Sequence, residues 1–184
     1  MQLIFEDETL LEDEFLFEMA KLTRKRADRR FGDFGEFIYF SHKNSSHSPR
    51  VKFYGGTPET ATTRNAPSMK FDHSGNSELV LTDSLTKKNC PNAFDSKYLK
   101  KVANFIKEAL SVLLLTWYDK LDESDALAFL EGRDSLPEMI DCIYNVRTEL
   151  MDEMKQCKNI HVLHTFCKNN NIYKEEQINP KMHY

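Results

Sequence analysis

Cys157, His161, His164 and Cys167 are the one cluster of residues in this sequence with metal-ligand chemistry. Their spacings of four, three and three put all four side chains on one face of a continuous helix. Two or three ligands from a single helix can hold zinc. A fourth in the same row stands another turn away, about 5.4 Å along the axis, too far to close a tetrahedron. A break near Asn159 would relax that geometry, and a zinc-supported hydrolase is the chemistry the set would then serve. The plainer expectation is a softly packed helix face, with Cys filling core and His at its border. His42 and His47 share a polar loop and have the residue type for general acid and base work near neutral pH. A Ser- and Asn-rich loop, however, holds such geometry poorly. Asp95-Ser96-Lys97 and Glu153-Met154-Lys155 carry the acid-x-Lys half of a metal nuclease signature. Both fall on expected helices, whereas two-metal chemistry wants these groups on adjacent strands facing the ions. There is no GxSxG, no phosphate-binding Walker loop and no HExxH, and Gly55-Gly56 is too short to cradle phosphates. The expectation is a protein without catalytic residues, cofactor or metal.

The stronger signal is charge. Residues 21–70 contain 11 bases and 4 acids, a balance of +7, while the remaining residues hold 14 bases and 25 acids, a balance of −11. The formal net charge of −4 hides this separation. Arg24, Lys25, Arg26, Arg29 and Arg30 precede an expected sheet whose outer face would show Arg50, Lys52, Tyr54 and Lys70. Bases interleaved with aromatics on a sheet hold RNA or single-stranded DNA through phosphate contacts and base stacking. The bland alternative is a solvated helix end beside a solvent-facing sheet. The acidic segment Glu6–Glu18 would imitate nucleic acid only if its charges were contiguous, and apolar residues interrupt them throughout.

The elements that must position these residues follow from periodicity. Residues 3–5 read as a short strand. Leu11, Phe15, Met19 and Leu22 recur at helical spacing, which predicts a helix from Thr9 to about Arg30, stopped by Gly32 and Gly35. Phe37–Phe40, Pro49–Tyr54, Ser68–Asp72 and Glu78–Thr82 then alternate as strands. His42–Ser48 and the Thr-rich segment Thr57–Asn65 form loops between them. From Asp95 the pattern is helical: Leu99, Val102, Ile106, Leu110, Leu113 and Trp117 form one stripe. A short helix follows at Ser124–Glu131. Ser135, Pro137 and Glu138 open another with a capping box, its stripe running Met139, Ile143, Val146, Leu150 and Met154. Asn159 starts a last short helix, and residues 174–184 read as a tail. This order predicts an α+β fold: an antiparallel sheet of four to five strands with helices packed on one face. The division expected is an α+β core over 1–131 and a helical extension and tail over 132–184.

Tyr39-Phe40, then His42, then Pro49-Arg50-Val51-Lys52-Phe53 follow one another as strand, loop and strand. Leu113-Leu114-Leu115-Thr116-Trp117 and Phe129-Leu130 close the same stretch. In this the chain resembles, over about residues 1–131, a family of small uncharacterised prokaryotic and phage domains. That family has a Tyr-Phe strand, an Asn/Asp-Glu-His loop, a Pro-Pro-His-Phe-His strand and a closing Leu-Leu-x-x-Trp helix. Its two strand histidines fall at Arg50 and Lys52 here, so no histidine chemistry carries over. The resemblance implies an α+β fold and an accessory gene of a phage or mobile element, with no defined activity.

At 184 residues and 21.5 kDa, with 40% hydrophobic and 29% charged residues, the chain has enough apolar material for a core. The start lacks the basic-then-apolar layout of a secretory signal, and no stretch approaches the roughly 18 apolar residues of a membrane span. Four cysteines without a CxxC read as free thiols in a reducing, cytoplasmic setting. Together these predict a non-catalytic interaction protein encoded by a phage or mobile element. It would bind and inhibit or remodel a larger protein or ribonucleoprotein, for example a bacterial defence nuclease such as a CRISPR effector. The alternative is direct binding of RNA or single-stranded DNA through the basic helix end and sheet face. No membrane partner is expected.

Overall fold

The computed structural model describes residues 19–32, 34–42, 48–54 and 66–174. Among them five strands form one antiparallel sheet in sequential order: β1 Ala20–Thr23, β2 Phe37–Phe40, β3 Arg50–Phe53, β4 Ser68–Phe71 and β5 Ser77–Val80. Six helices follow: α1 Ser96–Glu108, α2 Leu110–Trp117, α3 Glu123–Leu130, α4 Leu136–Asp141, α5 Thr148–Met154 and α6 Ile160–Asn169. This is the α+β arrangement expected from the sequence.

Alternation decides which way each strand faces. Ala20, Leu22, Ile38, Phe40, Val51, Phe53, Met69 and Phe71 are buried and join the helices in one core. That cluster runs without a break from the sheet through Leu114 and Phe129 to Leu163 and Tyr173. The helices supply the lid over this face. Helix α1 is amphipathic, burying Val102, Phe105 and Ile106, and Asp95 caps it by accepting from the Lys97 amide. All eight residues of α2 are buried, as a helix apolar all round must be. Its two hydroxyls are satisfied inside: Thr116 donates to the Val112 carbonyl at 2.9 Å, and the Ser111 hydroxyl lies 3.3 Å from the Tyr173 hydroxyl oxygen.

Three expectations are corrected. The helix predicted through Met19 and Leu22 to Arg30 is, over the described residues, a strand, a turn and a 3-10 turn at Arg29–Phe31. Ala20-Lys21-Leu22-Thr23 satisfies a period of two as readily as 3.6, and pairing with β2 decides the matter (Leu22 opposite Ile38). The rest of that helix and the strand at 3–5 lie outside the described residues, as do 43–47 and 55–65 in the two loops. The single stripe from Leu99 to Trp117 divides at Ala109, where φ is −97° and ψ 7°. The helix expected from Ser135 to Met154 ends at Asp141 and restarts at Thr148, with Asn145 at φ 55° between. Its capping box is present, Ser135 accepting from the Glu138 amide while Glu138 accepts from the Ser135 amide.

Candidate nucleic-acid interface

The register of the sheet builds a surface from residues far apart in sequence. One cross-strand row reads Lys21, Tyr39, Lys52, Ser68, Val80, and the next reads Arg50, Lys70, Glu78. Thr23 and Phe37, two residues along from Lys21 and Tyr39, face the same way, as does Tyr54 beyond the end of β3. Among the described residues the outer face thus carries four basic side chains, Lys21, Arg50, Lys52 and Lys70, against one acidic, Glu78. Lys70 and Glu78 form an ion pair at 2.8 Å with the Lys70 side chain partly and the Glu78 side chain largely in solvent, a contact worth little in free energy.

Aromatics sit among these charges. Phe37 meets Tyr39 edge-on at 5.1 Å between centroids and Tyr54 at 5.2 Å. The Lys21 ammonium lies 4.4 Å from the centre of the Phe37 ring and 5.7 Å from that of Tyr39, within cation–π range. Tyr39 is only 8% exposed, so any stacking onto a flat ligand falls to Phe37 and Tyr54, both half-buried. The Tyr98 hydroxyl donates to the Tyr54 carbonyl from α1 and so fixes the end of β3. Arg50 donates from Nε to the Ser48 carbonyl at 3.3 Å.

Of the basic residues singled out in the sequence, the structure brings together Arg50, Lys52 and Lys70, with Tyr54 beside them. It does not bring Arg26 and Arg30 to that face. Arg26 Nε lies 3.5 Å from a Glu131 carboxylate oxygen at the end of α3. The Arg30 guanidinium lies 5.2 Å from the centre of the Phe129 ring on the same helix, and its Nε donates to Asp28 at 3.1 Å. The single shared basic surface expected from the sequence is therefore two: a sheet face, and a turn leaning on the helical layer. Arg24, Lys25 and Arg29 are exposed on that turn. The cause is local. The Asp28 amide donates to the Leu130 carbonyl at 2.8 Å, which ties the turn to the helices. Lys21 was hidden from sequence reading by its assignment to a helix; the alternation of Ala20-Lys21-Leu22-Thr23 is the signal that finds it.

The possible chemistry elsewhere is separated by the fold. Cys157 lies before α6; His161 faces outward, 3.4 Å from Glu108; Cys167 is fully buried, its thiol pushed up to about 12 by burial. Among the described residues no group of three or more His, Cys, Asp or Glu side chains could hold a metal ion, so the ligand set behind a zinc-supported hydrolase is not assembled. His42 is held by Glu123, which accepts from its backbone amide at 3.1 Å and contacts its Nδ1 at 2.8 Å; His47 lies outside the described residues. All four cysteines are free.

A polar cluster that no spacing announces joins the β4–β5 turn to α2 and α6. His164 Nε2 donates to the His73 carbonyl at 2.9 Å, because a carbonyl can only accept. His164 Nδ1 is therefore left to accept from the Tyr173 hydroxyl, also at 2.9 Å, in the neutral ring. His73 Nε2 contacts the Tyr118 hydroxyl at 3.0 Å. Desolvation depresses both histidines below their ordinary value, with Lys168 adding repulsion and Asp72 partly opposing at His73. Every group here has a partner inside the protein, which marks a clasp rather than an open site.

No helix among the described residues is long and apolar enough to cross a membrane. No family model, curated protein or solved structure matches the chain.

Proposed function

We propose that this protein is a non-catalytic interaction protein that docks through the outer face of its sheet onto nucleic acid, displayed by a ribonucleoprotein or as single-stranded RNA or DNA. The observation that carries this reading is the register. It sends every second residue of β1 to β4 into the core and leaves Lys21, Arg50, Lys52 and Lys70 around Phe37, Tyr39 and Tyr54. Phosphates find charge on this face and bases find partly exposed rings, the two terms from which single-strand affinity is built. Inhibition of a bacterial defence nuclease, as by a phage or mobile-element protein, is the concrete form of the proposal. Such a protein would occlude the path of the RNA or DNA.

Fluorescence anisotropy with a labelled single-stranded oligonucleotide tests it directly. Binding that weakens steeply with salt is expected; absent or salt-insensitive binding overturns the nucleic-acid reading. Co-purification with effector complexes tests the ribonucleoprotein form. Retention that disappears after nuclease digestion supports it, and retention that survives digestion assigns the contact to protein instead.

A further inference from the structure

β5 ends the sheet, and its far side faces no further strand among the described residues. In an antiparallel strand each residue turns its N–H and C=O to one neighbour, and the next residue turns them to the other. The Phe71 amide donates to the Pro49 carbonyl at 2.9 Å, on the β3 side, while the Asp72 amide donates to the Asn76 carbonyl at 3.0 Å, on the β5 side. Ser68 and Lys70 therefore turn toward β5, where Val80 and Glu78 stand opposite them. Leu79, between these two, turns its backbone groups outward. Among the described residues no hydrogen bond reaches the Leu79 amide or carbonyl, nor those of Leu81, the first residue past the strand.

Sheet edges are commonly guarded by Lys, Pro, a bulge or a covering element. Ser77-Glu78-Leu79-Val80-Leu81-Thr82 contains neither Lys nor Pro, and its pairing with β4 runs unbroken from Val80 to Ser77. Leu81 is 36% exposed, one of three large apolar side chains so exposed among the described residues. The opposite edge is built differently. β1 carries Lys21 and leads into Arg24, Lys25 and Arg26, so self-pairing there crowds like charges.

Two copies of β5 match each other when paired antiparallel. Core-side residues must stand opposite core-side residues. With a two-fold axis at Val80, Leu79 is opposite the second copy's Leu81, Val80 is opposite Val80, and Glu78 is opposite Thr82. The leucines then take the hydrogen-bonded positions, which their outward amides and carbonyls require. Val80 takes the non-hydrogen-bonded position, where side chains approach most closely. No charge meets a like charge.

We propose that β5 is the interface of a homodimer, formed by antiparallel pairing of residues 78–82 with the same segment of a second copy. The two sheets become one, and the outer row Lys21, Tyr39, Lys52, Ser68, Val80 continues into its own image through the Val80 pair. Each copy uses its one matching edge, so assembly closes at two. A pairing this short falls below the about 1,200 Å² of a standard interface, which places the dissociation constant between about 1 µM and about 1 mM.

Sedimentation equilibrium of the full chain, without nucleic acid, tests this from about 10 µM to about 1 mM, independently of the sheet-face reading. A monomer–dimer equilibrium is expected. Leu81→Lys sets a charge opposite Leu79 in both halves of the pair and is expected to weaken dimerisation about tenfold or more. Its circular dichroism and urea midpoint should match the wild type, because Leu81 is exposed and lies outside the strand. Arg50→Gln with Lys52→Gln is expected to leave dimerisation unchanged. Val80→Cys reads the register: mild oxidation is expected to link two copies by a disulfide, since opposed Cα atoms at such a position lie about 4.5 Å apart. Thr82→Cys, opposite Glu78, is expected to link no more than the wild type does through its own cysteines. A monomer throughout overturns the proposal and leaves the edge to a strand of another protein. Species larger than a dimer overturn the two-fold pairing. A dimer that Leu81→Lys does not weaken, or that Val80→Cys does not trap, overturns it as well.

Discussion

Replacing Arg50 and Lys52 together by glutamine removes two of the four basic side chains that the described residues place on the outer face of the sheet. Glutamine keeps much of each aliphatic stem over the strand, so the change is chiefly one of charge. On single-stranded nucleic acid, each phosphate neutralised contributes about −0.7 to the slope of log affinity against log salt. Four contacts give a slope of about −2.8, and three give about −2.1 if Glu78 keeps Lys70 to itself. The double variant then retains a slope of about −0.7 to −1.4. Between about 50 and about 200 mM salt, the wild type is expected to lose about 20–50-fold in affinity and the variant about 3–7-fold.

Anisotropy titrations at four or more salt concentrations read both slopes. The matched control is Arg26→Gln with Arg30→Gln, which removes equal charge from the turn against the helical layer. That control is expected to leave the wild-type slope in place. Equal slopes for the wild type and the Arg50/Lys52 variant would refute the assignment of the sheet face. A slope that instead collapses in the Arg26/Arg30 variant would move the interface to the turn.

The remaining expectations concern the framework that holds this face. Both His73 and His164 are depressed by burial, so the folded protein binds fewer protons than the unfolded chain below about pH 6.5. Stability is then complete above that value and falls as pH drops, by at most about 1.4 kcal/mol per pH unit for each histidine. Urea denaturation from about pH 7.5 to about 5.5 reads this slope, and His164→Gln should flatten it; a pH-independent midpoint contradicts the clasp. Gly35 has φ 93°, and a Cβ there would fall on the Tyr98 ring. Gly35→Ala should therefore cost about 2–4 kcal/mol from backbone strain and overpacking, read as a shift in urea midpoint without a change in slope. Ser135→Ala removes the cap of α4 and should cost about 1 kcal/mol in the same assay.

Much of the architecture was legible because it depends on neighbours in the chain. The alternation of Arg50-Val51-Lys52-Phe53 already separates core from surface, and Ser135 with Glu138 already starts a helix, since both effects act within a few residues. The same locality placed Asp95 and Asn159 at helix starts, where each caps in the structure. Locality is also why Lys21 and Leu22 were misread: four residues satisfy two periods equally, and only the partner strand chooses between them. The breaks at Ala109 and Asn145 were hidden for a related reason. A helical stripe records which face is apolar but not whether the axis continues.

What only tertiary structure decided is which distant groups share a surface. The sequence established that positive charge concentrates between residues 21 and 70; pairing divided that charge between a sheet face and a turn bound to Leu130. It listed His73, Tyr118, His164 and Tyr173 without connecting them, because His73 and His164 stand 91 residues apart. Short-range propensity acts through the backbone and can be read along the chain. Charge convergence acts through space, and the space is made by burying the apolar side chains between.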